Sequence, residues 1–174
     1  TKAISMSGSD IFNYNEIFNN SIGMYKSGGS VVTLGNVSFN NFSSNNINID
    51  WGSAGGALGG SFLYAENNWW GVTDCVNISK NVSGLIDISP YLNNSMGQGG
   101  VSRDCPSFYC GVIVDYSVNL TAAQQANLTD CPRDGVKLYN ETTNITFDCQ
   151  GRSISGNTKN IGSGILAYGL NDGI

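Results

Sequence analysis

The chain has 174 residues, 40% of them apolar and 12% charged, and this is enough to bury a core in one ordinary domain or two small halves. The formal net charge is −5 and no two basic residues are adjacent, so the chain lacks the electropositive surface that a nucleic-acid partner requires. No apolar run approaches the roughly 18 residues of a membrane-spanning helix, and histidine, the commonest general base and metal ligand, is absent.

Residues 1–50 alternate short β-branched and aromatic stretches with clusters of Asn, Gly and Ser, without a 3.6-residue apolar period. Two similar strings, NEIFNN at residues 15–20 and NVSFNN at residues 36–41, are offset by about 21 residues. A repeat of about 20 to 25 residues, each with three short strands and Asn/Gly turns, is typical of one coil of a parallel β-solenoid. A β-sandwich, which also has many short strands, is the alternative.

In such a coil, alternate side chains point into a narrow interior and stack on their equivalents in the next coil. Asn at the turns tolerates a left-handed backbone and can form amide ladders along the axis. The predicted interior residues of the first coils are Ile4, Met6, Ile11, Ile17, Ile22, Met24, Val32 and Leu34.

An aromatic segment follows, with Asn-Asn-Trp-Trp-Gly at residues 67–71 and Ile-Ser-Pro-Tyr-Leu at residues 88–92. This pair of strings resembles the closing segment of secreted or surface right-handed parallel β-helix repeat proteins of the pectate-lyase-like superfamily, from bacteria and archaea. Two adjacent Trp side chains bury a large apolar area, so Trp69 and Trp70 are suited to cap the open end of a solenoid core. The alternative is that Trp69, Trp70 or Tyr91 is a stacking platform for a glycan.

Residues 93–109 are rich in Gly and poor in apolar side chains, and this composition predicts a linker. Beyond it, the strings NLTDCPRDG at residues 127–135 and NITFDCQG at residues 144–151 resemble the opening coils of the same superfamily. The predicted fold is therefore all-β, a right-handed parallel β-helix in which the end of one helix is followed by the start of another. Its predicted parts are the C-terminal coils and cap of one β-helix at 1–92, the linker at 93–109 and the N-terminal coils of the next β-helix at 110–174.

Both ends of the chain lie in the middle of a predicted coil, and residues 164–174 joined to residues 1–20 give uninterrupted β-helix sequence. We therefore expect either one period of a tandem-repeat protein or separate chains that stack head to tail. In both cases a neighbouring unit covers the unpaired strand edges, and a contact that does not close into a ring makes a filament. The alternative is a truncated segment of a longer β-helix.

Five cysteines without a Cys-x-x-Cys pair favour disulfides over a zinc site. Two nearly identical strings end at Cys131 and Cys149. If these strings occupy equivalent coils, the two cysteines are one strand spacing apart, about 4.8 Å, which a disulfide accepts. A second bridge is expected among Cys75, Cys105 and Cys110 with its partners open, and the odd count leaves one thiol free or paired with another chain.

The chain contains ten Asn-x-Ser/Thr sequons, the acceptors of N-linked glycans. They favour an extracellular or cell-surface glycoprotein. The alternative is that Asn-rich turns beside Ser and Thr generate sequons as a by-product. The candidate glycosylation sites are Asn19, Asn36, Asn41, Asn77, Asn81, Asn93, Asn119, Asn127, Asn140 and Asn144.

The 13 carboxylates are scattered, without the Ca²⁺ cluster of a polysaccharide lyase or the paired carboxylates of a glycoside hydrolase. Asp130 and Asp148 could hold a cation together, but the resemblance implies that they are framework residues of the first coils. Three Met without His are poor copper ligands. We therefore predict no catalytic residue, no metal ligand and no cofactor, and expect that the protein is not an enzyme.

The predicted function is a non-catalytic structural subunit or repeat of a glycosylated extracellular filament or adhesin, assembled head to tail through β-helix stacking. The expected partners are copies of the chain itself and covalent N-glycans, with a surface polysaccharide as a further candidate. The alternative is a carbohydrate-binding or polysaccharide-degrading β-helix module. Its candidate stacking residues are Trp51, Trp69, Trp70 and Tyr91.

Overall fold

A computed structural model describes most of the chain, and in it short parallel strands stack into the coils of a β-solenoid, which confirms the predicted all-β fold. Two compact units are present, unit 1 (Thr1–Cys105) and unit 2 (Pro106–Ile174). The predicted interior residues Val32 and Leu34 lie outside the described residues, as do the sequon residues Asn140 and Asn144. The described residues are 1–6, 11–26, 35–51, 62–139, 145–156 and 163–168.

The described residues of unit 1 form three parallel sheets. Its strands are β1 (Lys2–Met6), β2 (Ile11–Asn13), β3 (Glu16–Phe18), β4 (Ile22–Lys26), β5 (Gly35–Ser38), β6 (Asn41–Ser43), β7 (Ile47–Asp50), β8 (Leu63–Tyr64), β9 (Val82–Ser83), β10 (Ile86–Asp87), β11 (Tyr91–Leu92) and β12 (Ser102–Arg103), with the helix α1 (Cys75–Lys80) between β8 and β9. The sheet orders are β1-β4-β7-β9, β2-β5-β8-β10 and β3-β6. In the predicted linker, β12 pairs antiparallel with β11 after a 3-10 turn at Met96–Gln98.

Unit 2 repeats the parallel pattern on a smaller scale. Its elements are β13 (Val112–Val114), β14 (Val118–Asn119), α2 (Ala122–Ala126), β15 (Val136–Tyr139), β16 (Phe147–Asp148) and β17 (Ile165–Tyr168). One sheet has the order β13-β15-β17 and the other pairs β14 with β16. The short helix α2 is capped by Thr121, which forms a reciprocal capping box with Gln124 and so satisfies donors at the first turn.

The first coils have the predicted length, since Lys2 lies opposite Ile22 and the next strands pair at a slightly larger separation. Asn36 lies opposite Ile11 and Asn41 lies opposite Glu16, so equivalent residues are 25 apart in these strands. Asn40, rather than Asn36, is therefore the equivalent of Asn15 in the next coil. These strings share a strand-and-turn pattern, but they do not occupy the same position in successive coils.

The core of unit 1 is built from columns of side chains that share a register. Met24, Ile49 and Val82 pair along one sheet, and all three are buried. Ile17 lies opposite Phe42, whose ring stacks on that of Trp70 with 5.2 Å between centroids. Because these columns are continuous along the axis, each coil buries the apolar face of the previous one.

The predicted interior residues of unit 1 fall into three groups. Met6, Ile17 and Met24 are buried, as predicted. Ile4 and Ile22 are half-buried. The prediction for Ile11 is wrong, because this side chain is 77% exposed. Its neighbour Phe12 lies opposite the buried Val37 instead, and since strand side chains alternate between faces, Ile11 must point outward.

The predicted disulfide between Cys131 and Cys149 is wrong. Cys131 is bonded to Cys110, Cys75 is bonded to Cys105, and the thiol of Cys149 is free. The physical reason is the register. Cys131 pairs with Gly156, whereas the residue before Cys149 pairs with Asn119, so the two cysteines are not at equivalent positions of adjacent coils.

The open edge of unit 1 and its asparagine ladders

Two asparagine ladders run along unit 1 and join successive coils. In the first, the backbone N–H and Nδ2 of Asn15 both donate to Oδ1 of Asn40, at 2.9 and 3.1 Å. The same two groups of Asn40 donate to Oδ1 of Asn68, at 2.8 and 3.1 Å. In the second, Asn20 donates to Oδ1 of Asn45 in the same way. Each coil is thus held in register with the next.

The ladder asparagines of the inner coils are buried, and both ends of their amides are bonded. Asn40 and Asn68 are 0% exposed. Nδ2 of Asn68 donates to the carbonyl oxygens of Val37 and Ala65, at 2.6 and 2.7 Å. These bonds satisfy backbone groups where the chain turns a corner and no strand partner is available.

A left-handed residue precedes every ladder asparagine, with φ between 55° and 63°. Asn was expected in the left-handed conformation itself, but most of these positions carry other residues. The hydrogen bonds of the ladder asparagine that follows each of them compensate for the unfavourable backbone conformation. The left-handed residues are Tyr14, Asn19, Phe39, Ser44 and Asn67.

The ladder leaves a sequence signal that composition alone does not reveal. An inward-facing apolar residue lies three positions before each Asn of the first ladder and another two positions after it. This spacing places Phe12 inside and Ile11 outside. The triplets are Phe12-Asn15-Ile17, Val37-Asn40-Phe42 and Ala65-Asn68-Trp70.

The strands β1, β2 and β3 are each the outermost strand of their sheet at the same end of unit 1. We call the outer side of these three strands the head edge. Three large apolar side chains on or between them are exposed, Ile11 at 77%, Tyr14 at 71% and Phe18 at 55%. Oδ1 of Asn15, the first member of its ladder, receives no hydrogen bond from any described residue. The head edge therefore presents both apolar surface and an open end of the ladder.

In unit 2 the outermost strands towards the end of the chain are β16 and β17, and we call their outer side the tail edge. Ile165, the first residue of β17, is 43% exposed. Both edges consist of strands that are parallel to the rest of their sheet. Each can therefore accept a further parallel strand.

The aromatic candidates for glycan stacking are placed differently. Trp51, Trp70 and Tyr91 are buried, at 4, 2 and 9% exposure. The hydroxyl of Tyr91 donates to the carbonyl oxygen of Thr73 at 2.8 Å. Trp69 is half-buried and pairs with Asn41 across neighbouring coils. Of these four rings, Trp69 keeps the most surface on which a sugar could stack.

The structure separates the sequon asparagines from the ladder asparagines. None of the eight sequon asparagines that lie within the described ranges is buried. None of the ladder asparagines starts a sequon, because the residue two positions further on is apolar in every case. The exposed sequon residues are Asn19, Asn36, Asn77, Asn119 and Asn127, and the half-buried ones are Asn41, Asn81 and Asn93.

Asp130 and Asp148 do not face each other. The backbone N–H of Asp130 donates to Oγ of Ser155, whereas Asp148 pairs with Asn119. Within the described ranges, no three Cys, Asp or Glu side chains gather in a group that could hold a metal ion.

Among the described residues, Lys137 is the basic side chain whose pKa is lowered most strongly. It lies on β15 between Ile113 and Leu166 and is 2% exposed. Burial lowers its pKa from 10.5 to about 8, and nearby Asp134 only partly opposes this by raising it.

The perturbed pKa of Lys137 predicts a pH dependence. Since the folded state disfavours the charged amine, the penalty is complete below about pH 8 and is relieved as the pH rises to 10.5, the ordinary value of the group. The free energy of unfolding should therefore rise between these values by up to about 1 kcal/mol per pH unit relative to Lys137→Met. Urea unfolding of both proteins at several pH values measures the difference. Parallel pH profiles for the two proteins would refute it.

No helix of the described residues has the length and apolar character needed to cross a membrane.

Comparison of the chain with protein-family models, curated proteins and solved structures finds no match. The structure shows the solenoid fold, whereas membership of the pectate-lyase-like superfamily and the right-handed winding that it implies are predictions from the sequence strings.

Proposed function

We propose that the chain is a non-catalytic structural unit of a glycosylated extracellular or cell-surface filament or adhesin. Its units stack head to tail, so that the solenoid continues from one copy into the next. The observation that carries this proposal is the head edge, where three parallel edge strands and three exposed apolar side chains occur together.

The head edge carries little of the usual protection of edge strands. Soluble proteins blunt such edges with charges, Pro or bulges, because unpaired N–H and C=O groups otherwise recruit another chain. β1 contains one charged residue, Lys2, residues 11–18 contain one, Glu16, and neither segment contains Pro. Exposed Ile11, Tyr14 and Phe18 stand instead at this edge. Apolar surface next to open parallel strands favours the addition of further strands.

The partner that fits the head edge is the tail edge of a second copy or of an adjoining repeat. A parallel solenoid can be extended only by strands that run in the same direction, and β16 and β17 are parallel edge strands. The contact joins two different surfaces, so it does not close on itself and generates a filament. The open Oδ1 of Asn15 would then accept donors from the added coil and set its register, as Oδ1 of Asn40 does for Asn15.

Glycosylation and an extracellular location are supported by two further features. The two disulfides are typical of an oxidising compartment. The sequons at Asn36 and Asn41 lie wholly within β5 and β6, with a buried apolar residue between Asn and Ser. These two sequons occupy strand positions rather than turns, which argues against the by-product alternative for them.

Charged substitutions at the head edge test the assembly. Ile11→Lys/Phe18→Lys adds two charges to the edge and removes two apolar side chains, which should raise the concentration needed for assembly at least about tenfold, or 1.4 kcal/mol per contact. Sedimentation and negative-stain microscopy across a concentration series measure this threshold.

The matched control is Val101→Lys/Tyr116→Lys. These side chains, 57 and 53% exposed, lie outside the strands of both edges, and the substitution adds the same charge. It should assemble like the unmodified protein. Equal assembly thresholds for both double variants would show that the head edge is not the contact.

A further inference from the structure

Asn36 lies on the outer face of β5 between two exposed apolar side chains. Its partner on β8 is Tyr64, 38% exposed, and its partner on β2 is Ile11, 77% exposed. Oδ1 of Asn36 accepts a hydrogen bond from Oγ of Ser38 at 2.6 Å. Nδ2, the atom to which an N-glycan is attached, has no partner among the described residues.

Asn41 repeats this arrangement on β6. It pairs across the coils with Trp69, which is half-buried. Nδ2 of Asn41 donates to Oε1 of Glu16 at 3.3 Å, and Oδ1 accepts from the backbone N–H of Met96 at 3.2 Å. A glycosylated Nδ2 keeps one hydrogen, so the bond to Glu16 is compatible with the modification.

Both sequons of this coil therefore have an aromatic neighbour on the following coil. Paired residues of adjacent strands are about 5 Å apart at Cβ, so the first sugar attached to either Asn reaches the neighbouring ring. A pyranose has an apolar face of C–H groups, and the face of an aromatic ring carries partial negative charge, so the two stack favourably.

We propose that Asn36 and Asn41 carry N-glycans whose first sugar packs against Tyr64 and Trp69. This inference rests on the proposed function, since it requires a glycosylated protein. The aromatic rings then bind the protein's own glycans, and the glycans cover apolar surface that would otherwise be exposed to solvent. The glycans also fix two coils together from the outside, where the asparagine ladders do so from within.

The sequon at Asn119 is the internal control. Asn119 occupies the equivalent outward strand position on β14, but its partner is Asp148, a carboxylate without an aromatic face. A glycan at Asn119 has no ring to stack on across the strand and should contribute no comparable stability.

The test is a double-mutant cycle in the full chain produced by a glycosylating host. Glycopeptide mass spectrometry first gives the occupancy of Asn36, Asn41 and Asn119. Urea unfolding of Asn36→Gln, Tyr64→Thr and the double variant then measures their coupling. The unfolding equilibrium constant should show about fivefold coupling between Asn36 and Tyr64, and none between Asn119 and Tyr64. In protein made without glycosylation, the changes in the free energy of unfolding of the two single variants should add up to that of the double variant.

Fluorescence gives a readout for Asn41 that does not depend on stability. Trp51 and Trp70 are buried, so acrylamide quenching reports mainly on Trp69. Asn41→Gln should increase quenching in the glycosylated protein, while Asn119→Gln should leave it unchanged.

The outcomes separate the two claims. Unmodified Asn36 and Asn41 in the mass spectra would overturn the inference together with the glycosylated part of the proposed function. Occupied sites with additive energies and unchanged quenching would overturn the inference alone and leave the filament proposal standing.

Discussion

Asn68→Asp is expected to lower the free energy of unfolding by at least about 4 kcal/mol. Asn68 is 0% exposed, and its Nδ2 donates to the carbonyl oxygens of Val37 and Ala65. Asp has nearly the same shape, but it places an acceptor where the donor was. The carboxylate would then face two carbonyl oxygens without a counter-charge in a buried corner. Urea unfolding followed by circular dichroism measures the loss.

The matched control is Asn46→Asp. Asn46 is exposed, lies outside the ladders and does not start a sequon, so the same chemical change should cost less than about 0.5 kcal/mol. Similar losses for both variants would mean that the ladder amide is not a principal contact between coils.

Replacing both Cys110 and Cys131 by Ala should cost about 3 kcal/mol in unit 2. The bond closes a loop with a sequence separation of 21, and its removal returns that loop's entropy to the unfolded chain. Both sulfurs belong to buried residues, so the substitution also removes packing. Thermal or urea unfolding of the double variant measures the effect.

Cys149→Ala distinguishes the observed pairing from the one that the repeated strings suggested. Cys149 is half-buried and unbonded, so its substitution should cost less than about 1 kcal/mol. If Cys131 were bonded to Cys149, this variant would be as unstable as the double one. A peptide map of the unreduced protein in which Cys131 is linked to Cys149 would contradict the assignment.

The parallel solenoid was predictable because its local chemistry recurs along the chain. Short strands such as β3 and β6 are flanked by Asn, and no helical period competes with them. Buried Ile17 and Met24 could be predicted from this pattern. The choice between Ile11 and Phe12 could not, because both are large and apolar. The ladder contacts of Asn15 decide it, and these depend on a residue in the next coil.

The prediction of the cysteine pairing was wrong for a related reason. Similar strings around Cys131 and Cys149 suggested equivalent positions, but coils of unequal length separate them. The hydrogen bond from Asp130 to Ser155, beside Cys131, joins positions with a sequence separation of 25. The one from Thr146 to Ser117, close to Cys149, joins positions with a separation of 29. Successive coils of a solenoid can differ in length because their turns differ in length, so sequence similarity alone does not give the register.

The candidate site was predictable only in part. Stacking of open ends was expected from the apparent continuity of the two chain ends, but the residues of the head edge were not. Exposed Ile11 was expected inside, and Tyr14 and Phe18 had no assigned role. Ile11 and Phe18 are exposed because their strand neighbours face the core, and which residue faces the core depends on the pairing between coils.

Fibre diffraction and electron cryo-microscopy of the unmodified glycoprotein at increasing concentration test the central claim most directly. Stacked coils with strands perpendicular to the long axis predict continuous fibres with a strong axial reflection near about 4.8 Å. Discrete particles of constant size at every concentration, or fibres without that axial spacing, would contradict the account of one solenoid extended by another.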